Sequence, residues 1–244
     1  MTDTISAQLD EHLRAPGLFG SASGRIITLV FMVILLCVPL AAHFLGIRLQ
    51  LVSLDFITRI LCLAIAAVSL NLILGFGGMI SFGHAAYIGI GAYCVGIPAY
   101  HGYESGWLHF PLAIAASALF ALVTGAISLR TKGVYFIMIT MAFAQMGYYF
   151  FLSLDEYGGD DGLTIYSRSV FDIINIENKM VLFLLTYVCL VASIYMVYRI
   201  VNSRFGMVVR GCQSNEERMK ALGYNTYAYK LTAYVIAGGM CGLA

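Results

Sequence analysis

The sequence predicts an all-α integral membrane protein, a polytopic helical bundle with a broken, glycine-rich helix region and a short cytoplasmic helix. Three observations predict it. Of the 244 residues, 60% are hydrophobic and 11% charged, with a mean hydropathy of +0.85, against roughly 45–50% apolar and 25% charged in a soluble domain. The apolar residues gather in runs of about the 20 residues that a bilayer crossing takes. Those runs are rich in Leu, Ala, Met and Ile and lack ten-residue alternating segments, which favours helices over a membrane barrel.

Taken in order, residues 1–25 read as a cytosolic N-terminal tail. Asp3, Asp10 and Glu11 come early and the first apolar run starts only at Ile26. A cleaved signal has a basic start and an early apolar core, so the run is read as an uncleaved first span. Spans are expected at 26–46, 56–78, 83–101, 109–129, 134–154 and 180–200, within a transmembrane domain of 26–244. A seventh begins near Lys230 and reaches Ala244 after about 15 residues, short of a crossing. The expectation is of a fragment or an unfinished last helix.

Orientation follows from the excess of Lys and Arg in short cytoplasmic loops. The loop 201–229 and its flanks carry Arg199, Arg204, Arg210, Arg218, Lys220 and Lys230 against Glu216 and Glu217. The stretch 155–179 carries Arg168 and Lys179 against Asp155, Glu156, Asp160, Asp161, Asp172 and Glu177. The first is assigned inside and the second outside. Alternation then puts Arg130, Lys132 and the N-terminus inside, with Arg48 and Arg59 outside.

The stretch "LGFGGMISFGHAAYIGIGAY", Leu74–Tyr93, lies between spans two and three. A dinucleotide turn needs G-x-G-x-x-G, but Ile80 stands in the third position and no lysine follows. As one helix, Phe56 to His101 would run about 69 Å at 1.5 Å per residue, more than twice a core of about 30 Å. The helix must therefore break, and the glycines mark where. Beyond the break, Ala85, Gly89, Ala92 and Gly96 form a small-residue face suited to close helix packing. Ser81 is expected to N-cap a helix from Phe82, with His84 in its first turn. Free N–H groups would then face a cavity, so Gly77, Gly78, Ser81 and His84 are the candidate substrate-path residues. The alternative for His84 is a packed, neutral imidazole.

No catalytic group, metal site or cofactor is predicted. The six complete spans contain no Asp or Glu, and no P-loop, H-E-x-x-H or G-x-S-x-G occurs. Cys37, Cys62, Cys94, Cys189, Cys212 and Cys241 form no C-x-x-C pair and read as packing residues. With a net charge of +1, nothing points to nucleic acid. Asn71, Thr124, Thr140 and Gln145 are the other polar residues at depth, and interhelical hydrogen bonding accounts for Asn71 and Gln145.

In the loop 201–229, Ser214-Asn215-Glu216-Glu217 has the S-x-x-E form of a capping box, with Ser214 as N-cap and Glu217 at N3. Gly223 stands at the stop position. The result is a helix of about eight residues, too short to be stable alone in water. It needs a partner surface, either this protein's own membrane domain or another protein reached by Met219, Ala221 and Leu222, and the alternative is a helix that lies along the bilayer, held by its basic residues. The external "YGGDDGL", Tyr157–Leu163, reads as a solvated turn or as a docking or entry point through Asp160 and Asp161.

Four motifs in order, "SFGHAAYIGIGAY", "TKGVYFIMITMAFAQM", "GGDDGL" and "NEERMKALGYNTYAYKLTAYVIAGGMCGLA", resemble the LivM-type permease subunit of bacterial branched-chain amino acid ABC transporters over roughly 56–244. The resemblance implies a multi-pass permease of the bacterial inner membrane, with three kinds of protein partner. These are a homologous second permease, cytosolic ATP-binding subunits and an extracytoplasmic substrate-binding protein. It also implies that the short helix is a coupling segment to the ATP-binding subunit, carried by Ser214, Glu216, Glu217, Ala221 and Gly223. Glu217, Ala221 and Gly223 match the family's EAA-like pattern, and Arg218 replaces its usual second alanine. The expected function is import of branched-chain or related amino acids, with an ion-coupled secondary transporter as the alternative.

Overall fold

A computed structural model describes residues 22–44, 54–103, 105–157, 159, 162–163 and 178–244. The chain divides into two compact units, Met1–Ile57 and Thr58–Ala244. The first contributes α1, Ala22–Phe44, an apolar helix with Pro39 inside it. Proline is tolerated within membrane helices where surrounding groups satisfy the freed carbonyl.

The regular elements of the second unit are all helices among the described residues. Helix α2, Leu54–Asn71, begins just ahead of it and ends in one π turn, Leu72–Phe76. Then follow α3 (Ala85–Tyr100), α4 (Gly106–Ser128), α5 (Val134–Leu152) and α6 (Lys179–Val201). Two short helices come next, α7 (Arg204–Ser214) and α8 (Glu216–Ala221), and then α9 (Thr226–Leu243). Four of the described helical stretches are long and apolar enough to cross a membrane: Leu54–Phe76, Gly106–Ser128, Val134–Leu152 and Lys179–Val201.

The core is the junction of α3, α4 and α9. Helix α4 buries Ala113, Ser117, Ala121, Thr124 and Ser128, a stripe of small side chains at three- to four-residue spacing. Onto it α9 lays Gly238 and Gly242, four residues apart. A Cβ at Gly238 would strike Ala121, and one at Gly242 would strike Ser117. The backbone of α3 comes equally close, since a Cβ at Gly91 would meet the Gly242 carbonyl. Small residues that let backbones approach are how membrane helices gain packing energy when lipid is as apolar as leucine. Tyr87 and Tyr234, each 1% exposed, fill the remaining space edge to face, their ring centroids 6.1 Å apart.

The close-packing face of α3 therefore differs from the expected one. Gly91, not the Ala85–Gly89–Ala92–Gly96 face, receives the neighbouring backbone. Ala85 and Ala92 are exposed, and Gly89 has nothing within 4 Å of where a Cβ would stand. Gly96 is the member of the expected face that is buried, and Tyr87, Ile90 and Gly91 make up the rest of the buried side.

The break between α2 and α3 is as sharp as the glycines allow. The N–H of Met79 donates to the Ile73 carbonyl at 3.1 Å, and Gly78 sits at φ +66°. A Cβ on Gly77 would lie 2.6 Å from the Ile73 oxygen, so the chain can fold back over the last turn only without one. The extended residues after the break climb back beside α2, and His84 reaches Ser69 at 2.8 Å. Ser69 lies seven residues before Phe76, about 10 Å at 1.5 Å per residue. Helix α3, with 16 residues, is about 24 Å long, shorter than the roughly 30 Å core of a bilayer.

Candidate functional site

A cavity of about 440 Å³ opens at the end of the bundle that holds the basic loops. One side is the glycine break, Gly77 to Ile80. A second is the α4–α5 turn with Lys132 and the first residues of α5, Val134 and Ile137. The third is made by Cys212 and Gln213 of α7, Glu216 of α8, and Tyr227 and Lys230 of α9. Two hydrogen bonds hold these pieces in register. The Gln213 side chain donates to the Gly75 carbonyl at 3.2 Å, and the Tyr227 hydroxyl donates to the Ala126 carbonyl at 2.8 Å.

Glu216 is the charged centre of this end. Its carboxylate accepts from Lys230 at 2.9 Å, lies 3.1 Å from Lys220 and 3.4 Å from Lys132. Its side chain is 21% exposed and that of Lys230 18%, while that of Lys132 is 67% exposed. Partial burial works against the charged carboxylate. Hydrogen bonds from Lys230 and Lys220, with the charges of Lys230 and Lys132, outweigh it and hold the group at about 2. One carboxylate thus ties α8 to α9 and to the α4–α5 turn. Glu217 is exposed and sits 3.4 Å from Lys220 and 3.9 Å from Lys132.

Helix α8 starts one residue later than the capping box predicts. Ser214 is the last residue of α7, and Asn215, extended at φ −155°, is the N-cap, its side chain accepting from the Arg218 N–H at 2.9 Å. Asparagine caps about as well as serine, and the tight α7–α8 junction decides between them. The helix closes in a Schellman motif. The N–H of Gly223 donates to Lys220 and that of Tyr224 to Met219, with Gly223 at φ +87°, which favours glycine. Met219 packs on Gly211 of α7 and so does not join the outward surface, where Ala221 and Leu222 are exposed.

Of the four residues expected on the substrate path, Gly77 and Gly78 line this cavity and Ser81 and His84 do not. The helix after the break begins at Ala85, not Phe82. The N–H groups of Ala86 and Tyr87 are taken by the Gly83 and His84 carbonyls, and Ser81 makes no cap. Both residues are 6% exposed. The Ser69 hydroxyl donates its proton to the Ala66 carbonyl at 2.7 Å, so the His84 Nε2–H is the donor to Ser69. His84 Nδ1 and the Ser81 hydroxyl are buried without a hydrogen-bond partner. The Cys241 thiol donates to the His84 carbonyl at 3.5 Å, which pins the start of α3 to α9.

At the opposite end, Tyr100, His101 and Tyr157 pack their rings together at centroid distances of 5.7 to 6.0 Å. Asp160 and Asp161 lie outside the described residues. Lys132, Gln213, Tyr227 and Lys230 are among the cavity residues that sequence reasoning did not select. Only Lys230 left a signal, a cation one turn inside an apolar helix, which calls for a carboxylate partner.

A family model described as branched-chain amino acid transport system / permease component matches residues 52–244. The chain is 25% identical over 240 residues to the high-affinity branched-chain amino acid transport system permease protein LivM of Salmonella typhimurium, covering 88% of this chain and 56% of that protein. It is 24% identical to the protein of the same name from Escherichia coli, with the same coverage. The chain thus spans little more than half the length of these curated relatives. No solved structure matches it.

Proposed function

The chain belongs to the permease-component family of branched-chain amino acid transport systems, and from that premise we propose that it is the membrane-spanning subunit of an ATP-driven importer of branched-chain or related amino acids. It is a multi-pass membrane protein. In this reading its basic end and N-terminal tail are cytoplasmic, in a bacterial inner membrane. A binding protein delivers substrate to the outer end, with Asp160 and Asp161 as docking or entry residues. A homologous second permease completes the pathway, and separate cytosolic subunits bind and hydrolyse ATP.

The observation that carries the reading is the position of α8. This short helix presents Glu217, Ala221, Leu222 and the Gly223 turn outward, while Glu216 holds it to the rim of the cavity beside Gly77 and Gly78. A push on the outer surface of α8 by an ATP-binding subunit is thereby delivered to the mouth of the substrate path. Ser81 and His84 act one step deeper, where re-entrant backbone and unpartnered polar atoms meet. Irregular backbone at membrane depth is tolerated only within protein or beside a water-filled space.

Reconstitution into proteoliposomes tests the proposal. ATP-dependent leucine uptake is expected only when this chain is combined with its second permease, the ATP-binding subunits and the binding protein. Uptake by this chain alone, driven by an ion gradient, would overturn it in favour of a secondary transporter.

A further inference from the structure

The cavity beside the glycine break has two kinds of wall. Ile80, Val134 and Ile137 are aliphatic, while Lys132 and Glu216 face the same space with opposite charges. An aliphatic amino acid carries the matching set: a branched hydrocarbon, a carboxylate and an ammonium. We infer that this cavity is a release site for aliphatic amino acid zwitterions, in which Lys132 takes the carboxylate, Glu216 the ammonium and the Ile80–Val134–Ile137 wall the side chain. The inference deepens the importer reading and rests on it.

Charge bookkeeping gives the site its selectivity. The Lys132–Glu216 contact, at 3.4 Å, is longer than those of Glu216 with Lys230 and Lys220, and Lys132 is the most exposed of the three lysines. It is the pair that a ligand opens most easily, since exposed ion pairs contribute only about 1 kcal/mol or less. A zwitterion entering between them breaks one ion pair and forms two, leaving no unmatched charge. An amine or a carboxylic acid alone breaks one pair and forms one and so gains no contact, the displaced group falling back on its other partners, Lys230 and Lys220 for Glu216 or Glu217 for Lys132. Lys230 and Lys220 keep Glu216 in place during the exchange. The volume of about 440 Å³ lies within the range of small-molecule sites. Because the Lys132 side chain is 67% exposed and its contact is screened by solvent, the ligand is held weakly, as suits release.

The test is protection of a cysteine placed on the aliphatic wall of the assembled transporter. Ile80 is 46% exposed, so an Ile80→Cys variant should react with a maleimide at a rate readable by mass spectrometry of that peptide. L-Leucine, isovalerate and isopentylamine are each added near the solubility limit of leucine. Leucine should slow labelling about threefold, the factor 1 + [L]/Kd at twice the dissociation constant. The two singly charged analogues should have little effect, and Lys132→Gln should abolish the leucine effect. Equal labelling with and without leucine, or equal protection by either analogue, would overturn the site. Val134→Cys, at a position 62% exposed, provides the same readout where Ile80→Cys does not assemble. ATP-driven leucine uptake by the unmodified assembly is run in parallel. Its absence removes the importer reading, whereas uptake without protection removes only the release site.

Discussion

At the scale of single residues, Glu216 is the carboxylate on which the end of the bundle with the basic loops depends. Its depressed pKa fixes the sign of any pH effect. A carboxylate held at about 2 contributes stability that is present above the ordinary value near 4.3. That stability is lost only as pH falls through that window towards 2. Attachment of α8 should therefore be flat from about pH 6 to 8. It should loosen below about pH 4, which a fluorophore on Leu222→Cys, 65% exposed, would report. Glu216→Gln should loosen it at neutral pH, because three ammonium groups then share a neutral amide. Glu217→Gln, at a side chain 78% exposed with longer contacts, should change little. Sequence reasoning reached both glutamates but not this difference between them. The difference is set by Lys132, more than eighty positions away, and by the burial of Lys230, neither of which a local pattern encodes.

At the scale of elements, α8 is a one-and-a-half-turn helix whose ends decide its existence. Removing the Asn215 cap costs about 1 kcal/mol, so Asn215→Ala should speed hydrogen exchange of the Glu216–Ala221 amides roughly fivefold. Ser214→Ala should leave it unchanged, and the reverse result would restore the capping box. The S-x-x-E pattern located the helix correctly but displaced its start by one residue, because serine and asparagine compete on nearly equal terms. The Gly223 stop needed no tertiary information and was legible in full. Helix α3 shows the opposite case. Its small-residue face is plain in the sequence, but the side that packs carries Tyr87, Ile90 and Gly91, and the partner that makes Gly91 necessary is Gly242 of α9. Gly91→Ala should cost about 1–3 kcal/mol by overpacking, seen as loss of monodisperse protein in detergent. Gly89→Ala should be neutral or mildly stabilising, since alanine is the better helix former.

At the scale of the whole molecule, composition alone was enough for membrane helices, because 60% apolar residues leave few other ways to satisfy a backbone in lipid. The site was only half legible, since a cavity is a property of distant segments: Gly77, Lys132 and Lys230 meet only after α4 and α9 have packed. That same convergence makes the transport reading mechanical. If α8 drives the cavity through Glu216, then breaking the link should uncouple ATP hydrolysis from uptake while leaving hydrolysis running. Lys230→Glu turns a second carboxylate towards Glu216, where the native side chains are only 18% and 21% exposed, and should reduce leucine transported per ATP by roughly tenfold, the equivalent of about 1.4 kcal/mol of coupling. Glu216→Lys alone should do the same by gathering four cations. The double exchange, Glu216→Lys with Lys230→Glu, recreates one opposite-charge contact and should recover a substantial part of the ratio, as a double-mutant cycle requires of residues in direct contact. If the two single effects merely add, α8 acts on the bundle by some other route, and Glu216 is an anchor for the loop without transmitting its motion.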